Sequence, residues 1–423
     1  NDSMKILILI AYNIGYLLTH IPNTLLSIKF GTRYVLIVSM VLSTTLTFLS
    51  PLAAKNFYLL FFFRVLTGAS HGSLFPNIQE IIANYAVPAE RTVIMLLTHT
   101  GSVFSLLILF PTGGYLVQNV PNGWKYVFYI SGGMGCLSLV FLVLFVFPEC
   151  EDNPWMREEE KKYIISGIYP NGKPPRKTVS TIPFRRVFFS YPIFCFSTAH
   201  FGKLMMLYMS LYGLPTYFFR YYDINMFQAG CIAFIPFAFE IIGQLVYSRI
   251  SMMIGRTGIG SIRLRRLNTF IGSCGCSISL LIVAFLPCTS IIPAVILISI
   301  NVFSIGPYQA GYMMEQMEWD PFNAGIVMSI VNIAGSVSGV CQLLLNLLFR
   351  YLTPISIQEI YKNSFIVTSF VSFFMTMIYV VLGPTKHEPR SDLIVQNPNE
   401  VLSVQKAQDV DSFEEERRME QIA

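Results

Sequence analysis

Arg64 places a guanidinium inside an apolar run that begins at Phe57 and continues past Pro76. A charge at the centre of a bilayer costs about 2.5–3.5 kcal/mol or more, so it normally meets a partner or a water-filled cavity. At helical spacing Arg64, Thr67, Gly68, His71, Gly72 and Phe75 share one face. The small members of that face leave room for a neighbouring helix or for a ligand. Two readings follow: an arginine that braces two helices, or an anion-binding residue on a membrane pathway. Lys203 lies in the middle of another apolar run, and Glu240 is the only carboxylate expected well inside a span. An ion pair between those two is one way to satisfy both. Asn332, Gly335, Ser336 and Gly339 share a face of a later run, which reads as close helix packing or as a cavity wall carrying an asparagine.

The elements that must position these residues are membrane helices. Of 423 residues, 53% are hydrophobic and only 13% charged, against about 25% charged in an ordinary soluble domain. Runs of about 20 apolar residues, each enough to cross about 30 Å of hydrocarbon, recur along the chain. This composition predicts an all-α polytopic membrane protein with eleven spans, at 4–25, 34–53, 57–83, 92–118, 125–148, 190–219, 226–249, 268–288, 291–314, 322–349 and 363–383. A helix bundle at 1–149 and another at 190–383 flank a polar insert at 150–189, and a polar tail occupies 384–423. Within the insert, Asn153-Pro154 predicts a helix start, residues 169–175 a linker, and residues 182–186 a segment at headgroup depth. The tail reads as disordered, with a short helix over 412–422.

Alternate loops differ in Lys and Arg, sixteen on one side against six on the other. The basic side, with the insert and the tail, is therefore expected to be cytoplasmic. A chain that starts outside with an odd number of spans predicts one more helix ahead of residue 1. The net charge of +5 sits in loops and is no nucleic-acid signal. No Cys or His cluster has metal-ligand spacing, and no nucleophile–base pair or phosphate loop occurs in a soluble segment. No enzyme, cofactor or metal is expected.

Several short motifs carry a resemblance. They are Lys29-Phe-Gly-Thr-Arg33; Arg64-x-x-x-Gly68-x-x-x-Gly72-x-x-x-Pro76; Pro88-Ala-Glu-Arg91; Trp124-Lys-Tyr-Val-Phe-Tyr129; Ile182-Pro-Phe-Arg-Arg186; Leu214-Pro-Thr-Tyr-Phe218; and Gln358-Glu359 with Phe365. In this order the chain resembles the major facilitator superfamily. It is most similar to its anion:cation symporter branch of sialin, vesicular glutamate and nucleotide transporters, and sodium–phosphate cotransporters. The resemblance covers about residues 9–384.

It implies two six-helix bundles with the first helix missing, and a substrate site between the bundles near the midplane. It implies secondary transport of a small organic anion or phosphate through the bilayer by a monomer, driven by a proton or sodium gradient or by membrane potential. The membrane is plasma, lysosomal or vesicular. Arg64 matches the branch's substrate-binding arginine, Lys203 stands where glutamate-transporting members have an arginine, and Tyr208 matches a branch tyrosine. Asn332 is a further candidate contact. Lys29, Gly31, Arg33, Glu90 and Arg91 correspond to the cytoplasmic gate.

Two branch glutamates are here Thr67 and His71. Ion coupling therefore falls to His71, which can titrate near neutral pH, to Glu240, or to the Thr67 position. Where the branch has Asn, Asp and Arg in the tenth helix, this chain has Glu315, Glu318 and Phe322. No acid lies between Ile241 and Arg266, so the second-half gate is expected to be weak. The alternative is a transport-inactive or channel-like member acting as a receptor or scaffold.

Overall fold

The computed structural model describes residues 2–169, 178–179, 187–255, 257, 259–287, 289–351 and 356–385. Residues 182–186 and 412–422, and most of the expected linker, lie outside them.

Helix follows helix. α1 (Asp2–Phe30) and α2 (Thr32–Ala53) are separated by Gly31 alone, at φ 97°. That angle admits glycine and strains other residues, so a one-residue reversal is possible there. Asn56 caps α3 (Phe57–His71) by accepting from the backbone N–H of Tyr58 and Leu59. α3 breaks at Gly72–Ser73, and α4 (Leu74–Tyr85) continues beyond. Next come α5 (Arg91–Asn119), α6 (Gly123–Phe145) and the short α7 (Glu158–Ile168) of the insert. α7 starts four residues later than Pro154, because the Asn153 side chain closes a turn onto the Trp155 N–H at 3.0 Å. Its three first-turn glutamates complement the helix N-terminus.

α8 (Tyr191–Tyr221) enters through Pro192, followed by α9 (Met226–Gly255), α10 (Ser261–Val283) and α11 (Ile291–Phe303). From there one run continues through α12 (Ile305–Tyr308), a π-helical turn at Gln309–Met313 and α13 (Met314–Trp319). α14 (Ala324–Tyr351) and α15 (Ile357–Leu382) complete the described helices.

Helix covers most of each range expected to span. Nine helical runs among the described residues are long and apolar enough to cross a membrane. The other two are α3–α4, which the Gly72–Ser73 break divides, and α8, whose hydropathy His200, Lys203 and its tyrosines lower. Large apolar side chains such as Phe62, Phe141, Phe374 and Val381 are exposed on the outside. In a membrane protein that surface faces lipid.

α1 packs on α3 and α2, and α2 on α6; α8 packs on α14 and α15, and α10 on α15 and α11. Contact between the earlier and the later helices runs through α5–α9, α1–α14 and α4–α14. Glycines make the closest approaches. A Cβ on Gly68 would overlap the Tyr12 carbonyl, and one on Gly15 the Val65 carbonyl. The small residues beside Arg64 therefore admit the α1 backbone. Gly114 and Gly230 do the same for α5 and α9.

Candidate functional site

One face of α8 and one face of α5 meet across a cavity of about 240 Å³. α8 contributes His200, Lys203, Leu204, Leu207, Tyr208 and Leu211, and α5 contributes His99, Ser102, Val103 and Leu106. Both sets follow three- and four-residue steps, the spacing of one helix face. Tyr16 comes from α1, Phe75 from α4, Glu240 from α9, Gln309 and Met313 from the π turn, and Met328 and Asn332 from α14. A space of that size suits a small solute.

The π turn shapes one wall. Gly311 there has φ −88° and ψ −108°, outside helical values, and the Thr269 hydroxyl accepts the displaced Tyr312 N–H at 2.8 Å. π insertions of this kind are frequent at functional sites.

Lys203 is 4% exposed. Its Nζ lies 3.9 Å from Met313 Sδ, and no ion pair joins it to Glu240 among the described residues. The contact proposed from sequence between the two is therefore an electrostatic one across the cavity. Glu240 accepts from Gln244 Nε2 at 3.3 Å, and its Oε2 has no hydrogen-bond partner among the described residues.

Asn332 sits at the centre of a buried chain. His200 Nε2 lies 2.9 Å from Asn332 Oδ1 and its Nδ1 lies 2.8 Å from the Tyr312 hydroxyl. Asn332 Nδ2 donates to the Tyr16 hydroxyl at 2.9 Å. With Asn332 Oδ1 accepting, His200 carries its proton on Nε2 and takes one from Tyr312 on Nδ1. A second link runs from the Gly72 carbonyl, left free because Pro76 has no N–H, to His20 Nδ1 at 2.9 Å. His20 Nε2 then reaches Ser336 Oγ at 2.9 Å. Gly335 packs against His200 and Leu204, and Gly339 against Tyr208. The small-residue face of α14 is thus both a packing surface and a cavity wall.

Arg64, Thr67 and His71 do not line this cavity. The Arg64 guanidinium lies over the Phe128 ring of α6, Cζ 5.3 Å from its centroid, with Nε unpartnered among the described residues. The Thr67 hydroxyl donates to the Phe63 carbonyl, and His71 Nδ1 lies 3.0 Å from the Tyr12 hydroxyl. Tyr12 stacks on Tyr16, which reaches the cavity. Tyr208 lines the cavity and stacks on Tyr212 at 5.3 Å.

The five expected gate residues lie around one end of the helices. Lys29 lies over Phe30, and Arg33 donates to the Val143 carbonyl at 2.6 Å and covers Phe147. Glu90 accepts from Tyr163 of α7 at 3.2 Å, and its carboxylate holds that phenol above its usual pKa. Arg91 is buried and donates to the Ala86 carbonyl.

Two sequence expectations need correction. Where a weakened second half was expected, Arg265 grips Glu318 through two nitrogens, at 2.6 and 3.2 Å, and also binds the Ala310 carbonyl. Glu240 is also not alone, because the helical run extends to Trp319 and buries Glu315, which accepts from the Tyr379 hydroxyl.

Sequence reasoning missed His99, His200, Tyr16 and Gln309. A signal existed for the histidines, each a polar residue deep in an apolar run, with His200 one helical step from Lys203. Gln309 carried none, because its place depends on the π turn.

A profile of the Major Facilitator Superfamily matches residues 2–341. Vesicular glutamate transporter 1 of Bos taurus is 27% identical over 379 residues, covering 89% of this chain and 66% of its own length. A Drosophila ananassae protein named for inorganic phosphate cotransport is 24% identical over 392 residues, covering 90% of this chain and 79% of its own. The chain thus spans just under two thirds of the vesicular glutamate transporters it matches first. Among solved structures, the proton:xylose symporter XylE superposes with a TM-score of 0.67 at 15% identity, covering 92% of this chain and 88% of that one.

Proposed function

The chain belongs to the Major Facilitator Superfamily, and from that premise we propose that it is a secondary transporter of small anions, organic carboxylates or phosphate, working by alternating access. The observation that carries this reading is Lys203. A buried ammonium on the cavity wall, with no carboxylate at ion-pair distance among the described residues, calls for an anion. The names of the matched transporters, for glutamate and for inorganic phosphate, agree with that class. We read residues 1–149 and 190–383 as two helix bundles that rock about the cavity, with eleven crossings and the basic loops cytoplasmic. The same relatives favour a vesicular membrane.

Lys203, Tyr208 and Asn332 are the contacts of the anion in this cavity. Arg64 serves it outside the cavity, on the path marked by Tyr12 and Tyr16. Glu240 carries the coupling proton. A bound monoanion together with an ionised Glu240 would exceed the single fixed cation of the cavity, so anion and proton enter together.

The test is uptake of L-glutamate and of inorganic phosphate into proteoliposomes, with the pH gradient and the membrane potential imposed separately. Saturable flux of one anion is expected, lost at least 100-fold in Lys203→Ala and strongly reduced in Arg64→Ala. Glu240→Gln should exchange anion but no longer respond to the pH gradient. Undiminished flux in Lys203→Ala sinks the site. Binding without exchange would point instead to the receptor reading that the lost branch glutamates suggest.

A further inference from the structure

Across the cavity from Lys203, the wall supplied by α5 carries His99. This imidazole is 6% exposed, and its Nε2 has no hydrogen-bond partner among the described residues. Its ring lies against Phe75 of α4, centroids 5.8 Å apart and planes 15° from parallel. Phe75 itself lines the cavity. The ring is therefore held by stacking, with no polar partner inside the fold taking up Nε2. Its position on α5 puts it one turn from Ser102 and Val103 on the same lining face.

A buried polar atom left unmatched costs about 1–3 kcal/mol, so a stable fold keeps one where something else satisfies it. The cavity has three such side chains on its wall: His99, Glu240 and Gln309, with Nε2, Oε2 and Oε1 respectively unpartnered. Glu240 and Gln309 sit with Lys203 on the later helices. His99 comes from the earlier ones, and the Lys203 ammonium acts on it electrostatically across the space.

We infer that His99 is a ligand-binding residue, donating Nε2–H to the same carboxylate or phosphate group that Lys203 holds. An anion offers only acceptors, so the working tautomer carries its proton on Nε2. The anion then bridges α5 and α8, one element from each side of the cavity, and its presence favours this arrangement. The geometry thus gives the role of N-terminal counterpart to Lys203 to His99 in this cavity, where the sequence offered Arg64. This inference rests on the anion-transport reading and adds to it a donor from α5.

Three substitutions and one modification test it. Gln carries a nitrogen near the place of His Nε2, whereas Asn carries one near Nδ1. For L-glutamate and for phosphate uptake, His99→Ala and His99→Asn should raise KM about tenfold, the value of one hydrogen bond, with maximal rate within twofold. His99→Gln should stay within about threefold of the native KM. Whichever anion shows the effect identifies the ligand's source. An unchanged KM in His99→Ala, or rescue by Asn rather than Gln, overturns the assignment. Because substitutions in a membrane core can fail to fold, the native protein supplies a second measurement. Diethyl pyrocarbonate modification of His99, read by mass spectrometry with His71 as internal control, should fall at least fivefold when glutamate or phosphate is present. No protection by either overturns the inference regardless of flux. Loss of flux in Lys203→Ala alongside native behaviour of all His99 variants would remove His99 and leave the transport reading standing. If neither anion is moved or protects, both fall.

Discussion

Asn332 serves three neighbours at once: it accepts from His200, donates to Tyr16, and offers its carbonyl to Ser336. Replacing it by alanine leaves two buried groups unmatched, each at about 1–3 kcal/mol. Asn332→Ala should therefore lower the melting temperature in detergent by several degrees, measured by a thermal scan of the purified protein. A melting curve unchanged within 1 °C would mean that His200 and Tyr16 find other partners. Lys203, Glu240 and Asn332 were legible in the sequence because charge or amide in an apolar run is costly and so rarely accidental, whereas Tyr208 came from the family resemblance alone. Arg64 was legible for the same reason, yet it faces Phe128 and not the cavity. Cost alone tells that a charge has a purpose, and gives no direction to the side chain. The identity of its neighbours depends on which helices touch, which spacing along one chain does not encode.

At the scale of elements, the α1–α3 pair depends on mutual absence of side chains. Gly15 faces the Val65 carbonyl and Gly68 the Tyr12 carbonyl, so each backbone fills the space a Cβ would take. Gly68→Leu should push the helices apart and sharply reduce the monodisperse fraction in fluorescence size-exclusion chromatography. The same change at Gly133, where a Cβ would meet nothing within 4 Å, should leave it near native. Helix positions were readable from apolar run length, to within several residues. Breaks were not. Neither the interruption at Gly72–Ser73 nor the π turn at Gln309–Met313 leaves a mark in hydropathy: the Gly72 carbonyl is free because Pro76, four residues on, has no N–H, and His20 takes it up, while Thr269 takes up the Tyr312 N–H. The Arg265–Glu318 pair was hidden likewise, its partners being 53 residues apart.

The whole molecule ties its earlier helices to its later ones by hydrogen bonds at well-separated places. At one the Phe227 N–H donates to Gln118 Oε1 at 2.9 Å, joining α9 to α5, and at another the hydroxyls of Thr24 and Ser329 join α1 to α14. Crosslinking Gln118→Cys to Phe227→Cys with a short methanethiosulfonate reagent, in a cysteine-depleted background, should stop anion flux, and a reducing agent should restore it. Flux that persists after complete crosslinking would mean that this contact never opens. The bonds Asn332–Tyr16 and His20–Ser336 also cross from α1 to α14. Any rocking of α14 away from α1 must break them before water can replace them. On the transport reading, turnover then begins with an enthalpic toll that is independent of which solute is carried. Its signature is a steep temperature coefficient, shared by every substrate and flattened when Ser336 or Tyr16 loses its hydroxyl.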